Sequence, residues 1–150
     1  MRDDEVFAEV EMFLKLLDQE ASDPVDTRVL EAALDRLAVA ATSCADSFDE
    51  REFPEPPATD YRSNRVQVAA CFPTLGYYND VLEVNAPPEE ARLSIGDALD
   101  DLVDIQGEML EMRWRYLNNS PTDAVWHFKL TFRSHWGAHL RRLQLYLLDM

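Results

Sequence analysis

Apolar residues recur at spacings of three and four in long stretches of this chain, and that periodicity constrains the fold more than any other feature. One stripe runs from residue 3 to about residue 20, and a second runs from residue 23 to about residue 46. A third covers residues 94 to about 117. Each stripe lasts for several helical turns, so we predict amphipathic α-helices that bury one face against a shared core.

Prolines and small polar residues indicate where these helices begin and end. Asp23, which a proline follows, is typical of a helix cap and predicts the start of the second helix. Three prolines among acidic residues predict a long loop over residues 49–60. Residues 63 to about 83 favour a helix, but Pro73 and Gly76 predict that it is bent or divided into two short helices.

The C-terminal segment carries two conflicting signals. Ser120, with a proline after it and Asp123 three positions on, is typical of a helix cap, whereas residues 126–132 alternate between apolar and polar as a strand does. We predict a helix, because the sequence offers no convincing second strand to pair with this one. The helix is apolar around much of its circumference, which favours a place in the middle of a bundle.

These patterns together predict one all-α domain over residues 1–150. The length suits a single hydrophobic core, and a chain with four glycines has few of the residues that many tight turns between strands require. We therefore expect an antiparallel bundle of about five helices with the C-terminal helix central.

The charge of the chain excludes two classes of partner. Its net charge is −15, and Lys and Arg form no cluster that would bind phosphates, so we expect neither nucleic acid nor an anionic membrane. Residues 1–60 alone carry −12, which would attract a basic protein partner. The N-terminus has no basic region followed by an apolar run, and we expect a cytoplasmic protein.

Several segments resemble an uncharacterised bacterial family. They read GDALDDLVDI at 96–105, DAVW at 123–126 and HWGAHL at 135–140, and FPTLGYY at 72–78 is similar to the family's middle segment. The family is the domain-of-unknown-function family numbered five thousand and sixty-three, and the likeness covers roughly residues 61–145. The resemblance implies a small all-helical bacterial domain with no assigned activity.

Acidic residues on the helix predicted over residues 94 to about 117, the fourth in chain order, form the first candidate site. Their spacings of three and four place Asp97, Asp101, Asp104 and Glu108 on one face. Several carboxylate oxygens in a row suit a divalent cation. The same row is also typical of a solvated acidic face, which we favour because the chain contains no calcium-binding loop or other partner motif.

A pair of histidines forms the second candidate site. His135 and His139 lie one helical turn apart, a spacing that lets two imidazoles bind one metal ion. With Asp101 and Asp104 they are the candidate ligands of this chain. The alternative is structural: at least one imidazole is buried and bonds to Asp101 or Asp104 of the preceding helix, and we favour this interpretation.

The sequence predicts no catalytic residue by motif, because it has neither a nucleophile elbow nor a phosphate-binding glycine loop. We therefore favour a non-enzymatic module that binds a protein partner, as a regulator, an adaptor or an immunity-like inhibitor does. The alternative is a helical-bundle enzyme that depends on a divalent metal such as zinc or manganese, held by His135, His139 and acids of the fourth helix.

Overall fold

The structure is a computed structural model that describes residues 1–18 and 23–150. In chain order its elements are α1 (Asp3–Leu17), α2 (Thr27–Ser43), α3 (Tyr61–Cys71), β1 (Tyr77–Val81), β2 (Leu93–Asp97), α4 (Ala98–Asn118), α5 (Pro121–Thr131) and α6 (Gly137–Leu148). A short 3-10 turn, Pro88–Glu90, lies between the strands. A π-helical segment, Phe132–Trp136, joins α5 to α6. With these three parts counted as one C-terminal helix, the described residues contain five main helices, and the predicted helical fold class is confirmed.

Side-chain caps fix where several helices begin. Asp26 accepts a hydrogen bond from the N–H of Arg28, so α2 begins at Thr27 and the predicted cap at Asp23 is wrong. Ser120 caps α5 as predicted by accepting from the N–H of Asp123. Helix α1 ends at Leu17, and the predicted end near residue 20 lies outside the described residues.

The sequence did not predict the β-hairpin of this fold. Strands β1 and β2 pair antiparallel, with Asn79 opposite Ile95, in a sheet of two strands within the described residues. The predicted helical region 63–83 is therefore wrong beyond Cys71, where a proline two positions on prevents further helix. Helix α4 begins at Ala98 rather than residue 94, because Asp97 accepts hydrogen bonds from the first N–H groups of that helix.

The C-terminal segment is helical, as its cap predicted, and residues 126–132 form no strand. Its π-helical part buries the Trp136 side chain completely, and the indole N–H donates to the carbonyl of Phe128 at 3.2 Å. Burial of a large apolar side chain contributes about 1.5–3 kcal/mol to stability. Leu130, in contrast, is 46% exposed, so the helix buries less of its apolar circumference than the sequence suggested.

One hydrophobic core joins the helices. The C-terminal helix packs against α1, α2 and α4, and α4 packs in addition against α1 and α3. The centre of the bundle is therefore shared by the last two long helices of the chain. No helix in the described part combines the length and the apolar character needed to cross a membrane.

Residues 44–60 form no helix or strand, so the loop predicted over residues 49–60 is confirmed and α2 ends slightly before its predicted end near residue 46. The loop nonetheless packs on the bundle. The guanidinium of Arg115 on α4 bonds to Glu55 at 2.8 Å, and Ser120 donates to Asp49 at 2.7 Å. The loop thus forms a wall over one side of α4.

Candidate metal centre

The three histidines of the chain all contact carboxylates of α4. His127 lies on α5, His135 on the π-helical segment and His139 on α6, so the C-terminal helix lays all three along the acidic row that the sequence identified. The sequence identified this row as Asp97, Asp101, Asp104 and Glu108, and the contact of His127 extends it to Glu111. Packing of α4 against the C-terminal helix is therefore what assembles the site.

His139 is held by two aspartates. Its Nδ1 lies 2.7 Å from Asp101 Oδ1, and its Nε2 lies 3.4 Å from Asp104 Oδ2. The hydrogen bond to Asp101 raises the pKa of His139 above its ordinary value and outweighs the opposing effect of burial. The side chain is 24% exposed. The predicted contact of a histidine with Asp101 or Asp104 is present, but the imidazole is only partly buried.

Asp101 is itself fixed by the hairpin. Its side chain is buried, and the hydroxyl of Tyr78 on β1 donates to its second oxygen. Burial and this hydrogen bond raise the pKa of Tyr78, so the phenol remains a donor. A buried carboxylate that orients one nitrogen of a histidine leaves the other nitrogen available, and metal-binding histidines are commonly held in this way.

His135 is the more exposed of the two histidines that the sequence paired. Its side chain is 46% exposed, and its Nδ1 lies 2.7 Å from Glu108 Oε1. The rings of His135 and His139 are 5.0 Å apart and nearly perpendicular. The π-helical segment carries His135 and brings it beside His139, and such segments are frequent at functional sites.

Three of the side chains can converge on one ion. Asp104, His135 and His139 each offer a ligand atom, and these atoms lie within 4.8 Å of one another. Burial raises the pKa of Asp104, because the charged form of the carboxylate loses solvation at this site. A set of two imidazoles and one carboxylate suits zinc, manganese or iron.

A second group that the sequence analysis missed lies beside the first. Glu108, Glu111 and His127 also bring three ligand atoms within 4.8 Å. His127 Nε2 is 3.0 Å from Glu111 Oε1 and 3.7 Å from Glu108 Oε2. Both His127 Nε2 and Glu108 Oε2 are buried, and within the described residues these ion-pair contacts are not accompanied by a well-aligned hydrogen bond to either atom. A cation between them would satisfy both atoms as acceptors.

Charge around this second group is already partly balanced. Arg115 is buried and lies 3.0 Å from Glu111 and 3.3 Å from Asp123. Burial lowers the pKa of Arg115, but these carboxylates outweigh it and the guanidinium stays charged. Because Arg115 competes for Glu111, the group of Asp104, His135 and His139 is the stronger candidate.

A cavity of about 300 Å³ opens onto both groups. Asp104, Glu108, Glu111 and His135 line one side of it, and residues 55–59 of the packed loop line another. Burial acts to raise the pKa of Glu108, but contacts with His127 and His135 outweigh it and lower the pKa. An ion at the first group would therefore face a cavity with room for water and a small ligand.

Comparisons with known proteins bear on the fold only. No family model matches the chain, and no curated protein matches it. The fold is similar to that of protein BF1032 from Bacteroides fragilis, with a TM-score of 0.74 over 97% of this chain and 89% of that chain. The two sequences are 18% identical, so the likeness shows a shared fold. Membership of the family of unknown function that the sequence resembles stays a prediction.

The structure brings together all four residues that the sequence proposed as ligands. Asp101 does not belong to the group that converges on one point; it holds His139 instead. His127, Glu111 and Tyr78 contact this site although none of them was predicted as a ligand from the sequence. Metal binding by His135, His139 and Asp104 was the alternative to the favoured structural interpretation, and it stays an untested alternative at this point.

Proposed function

We propose that this protein binds a divalent transition-metal ion, zinc or manganese, through Asp104, His135 and His139. The observation that carries the proposal is the convergence of the three histidines on one row of carboxylates. A row of exposed acids alone is common on protein surfaces. Two imidazoles beside it, each with Nδ1 already bonded to a carboxylate, are rarer and leave the Nε2 atoms to bind metal.

The arrangement favours metal-assisted hydrolysis over a purely structural ion. Structural zinc sites usually have four protein ligands, whereas three protein ligands leave a position for water. A metal ion lowers the pKa of bound water and so supplies a nucleophile at neutral pH. Glu108, next to His135 and on the wall of the cavity, is placed to accept the proton. The many carboxylates around the cavity favour a neutral or cationic substrate over a phosphate ester.

The test is a melting curve of protein purified without chelator, together with its metal content. We expect about one equivalent of metal and a midpoint that rises with added zinc or manganese, because an ion that binds only the folded state stabilises it by mass action. His139→Ala and Asp104→Asn should abolish that rise. Asp35→Asn is the matched control, since Asp35 is an exposed carboxylate on α2 outside both groups. An equal shift in wild type and His139→Ala would contradict the proposal.

Protein binding, which the sequence favoured, is a second candidate. Residues 1–60 carry a net charge of −12, and the hairpin exposes several large apolar side chains. An adaptor or an immunity-like inhibitor would bind its partner through such surfaces. The cytoplasmic location expected from the sequence stays a prediction. A screen for partners with metal-loaded and metal-free protein separates the two candidates, because the metal proposal does not require a partner.

A further inference from the structure

Strand β1 has a row of backbone groups without partners. The N–H of Leu82 donates to the carbonyl of Arg92, and the N–H of Ala98 donates to the carbonyl of Gly76. Bonded and non-bonded pairs alternate along an antiparallel ladder, so every second residue of β1 directs its N–H and C=O away from β2. These residues are Tyr77, Asn79 and Val81. Their outward groups have no hydrogen-bond partner among the described residues.

A groove of about 370 Å³ runs along this edge. Residues 77–80 line one side, and the end of α6 lines the other with Arg142, Leu145, Tyr146, Asp149 and Met150. Tyr77 and Asn79, whose backbone groups point away from β2, are among the lining residues, and no residue of β2 is. Tyr77 is 75% exposed and Leu145 is 68% exposed. An added strand would find backbone groups to bond on β1 and an apolar floor for alternate side chains.

The charge of this region decides which partner fits. Residues 77–97 contain five acids and one arginine, a net charge of −4. Three of these acids are ion-paired: Asp80 with Arg142 at 2.7 Å, Asp97 with Arg65 at 2.8 Å and Glu83 with Arg92 at 3.7 Å. The carboxylates of Glu89, Glu90 and Asp149 have no ion pair within the described part of the chain and leave the region negative. A second copy would bring −15 against −15, and such charges repel. A segment in which apolar and basic residues alternate would place its apolar side chains on the floor of the groove and its basic side chains beside the surrounding carboxylates.

We propose that β1 accepts an extended basic segment of another protein as a third strand of the hairpin, with its apolar side chains in this groove. The proposal does not depend on the metal centre. The binding edge is the outer edge of β1, and the outer edge of β2 provides a matched control. Asn79 lies directly opposite Ile95, and the N–H of Ile95 points to the other edge of the hairpin.

The probe is a short acetylated peptide of alternating lysine and valine, titrated calorimetrically into the full chain. Proline is tolerated where a strand N–H faces outward, so Asn79→Pro should fold and yet lose a donor on the β1 edge. We expect Asn79→Pro to weaken peptide binding about tenfold or more, the effect of at least one lost hydrogen bond. Ile95→Pro and Asn79→Ala should bind like wild type. Higher salt should weaken all binding, because it screens the attraction.

Circular dichroism establishes that both proline variants are folded. If Asn79→Pro is unfolded, the same peptide N-methylated at alternate residues replaces the variant, and wild type should then fail to bind it. Three results would overturn the proposal: no binding of the lysine–valine peptide, equal binding of a glutamate–valine peptide, or equal loss in both proline variants. A wild-type dimer in sedimentation that Asn79→Pro dissolves would also overturn it, since a second copy would then cover the edge.

Discussion

The bond between His139 and Asp101 lets the candidate centre be tested without metal. The perturbation is a double-mutant cycle of His139→Ala, Asp101→Ala and the double variant in excess chelator. The Asp101 side chain is only 7% exposed, and its Oδ1 lies 2.7 Å from His139 Nδ1. Loss of His139 leaves a buried carboxylate with the Tyr78 hydroxyl as its remaining side-chain donor within the described residues.

The expected magnitude follows from this burial. Breaking a fully buried ion pair from one side costs about 3–5 kcal/mol. Because Tyr78 continues to donate and His139 is partly exposed, we expect His139→Ala to lower the free energy of unfolding by about 3 kcal/mol, the low end of that range. The coupling between the two residues should be about 1.5–3 kcal/mol, as for hydrogen bonds to charged groups.

Urea unfolding at neutral pH measures each free energy. Asp104 supplies the matched control, since its contact with His139 is 3.4 Å long and its side chain is 27% exposed. Its coupling to His139 should stay below about 1 kcal/mol, as for exposed pairs. If Asp101 couples to His139 no more strongly than Asp104 does, the argument that Asp101 orients this imidazole is refuted.

Three further predictions test other parts of the structure. A Cβ on residue 137 would lie 2.2 Å from the carbonyl oxygen of Phe132, so Gly137→Ala should lower the free energy of unfolding by about 1–3 kcal/mol in urea and weaken zinc binding by displacing His135. Arg115→Ala removes the buried guanidinium from Glu111 and Asp123, which keep their contacts with His127 and Asn119, and should cost about 3 kcal/mol in the same assay. A smaller cost in low salt than in high salt would count against this explanation. A natural partner drawn by the acidic residues 1–60 should associate more slowly at high ionic strength in surface plasmon resonance, and an unchanged rate would show that this acidity does not steer association.

The periodicity and the caps predicted most of the helical fold because those signals are local. Ser120 caps α5 through a hydrogen bond three positions along the chain, and that bond decided the C-terminal conflict in favour of a helix. The hairpin was missed since each strand has five residues, too few for a clear alternation, and residues 82–92 between them form no short turn.

The candidate site was predicted only where its residues share one helix. His135 and His139 are close in sequence, and so are the acids of α4. His127 joins them only when the C-terminal helix packs against α4 and the π-helical segment changes the helical phase between His127 and His139. A regular 3.6-residue period does not predict this change of helical phase. Gly137 was a signal for it, because a residue without a Cβ lets the backbone approach the carbonyl of Phe132 in the π-helical segment.

Anomalous diffraction at the zinc absorption edge tests the proposed metal centre most directly. Crystals grown with zinc should show a peak about 2.0–2.2 Å from His139 Nε2, within coordination distance of Asp104 and His135. The peak should vanish in data collected just below the edge. Crystals saturated with zinc that show no peak between these three side chains, or peaks only at other surface carboxylates, would contradict the account.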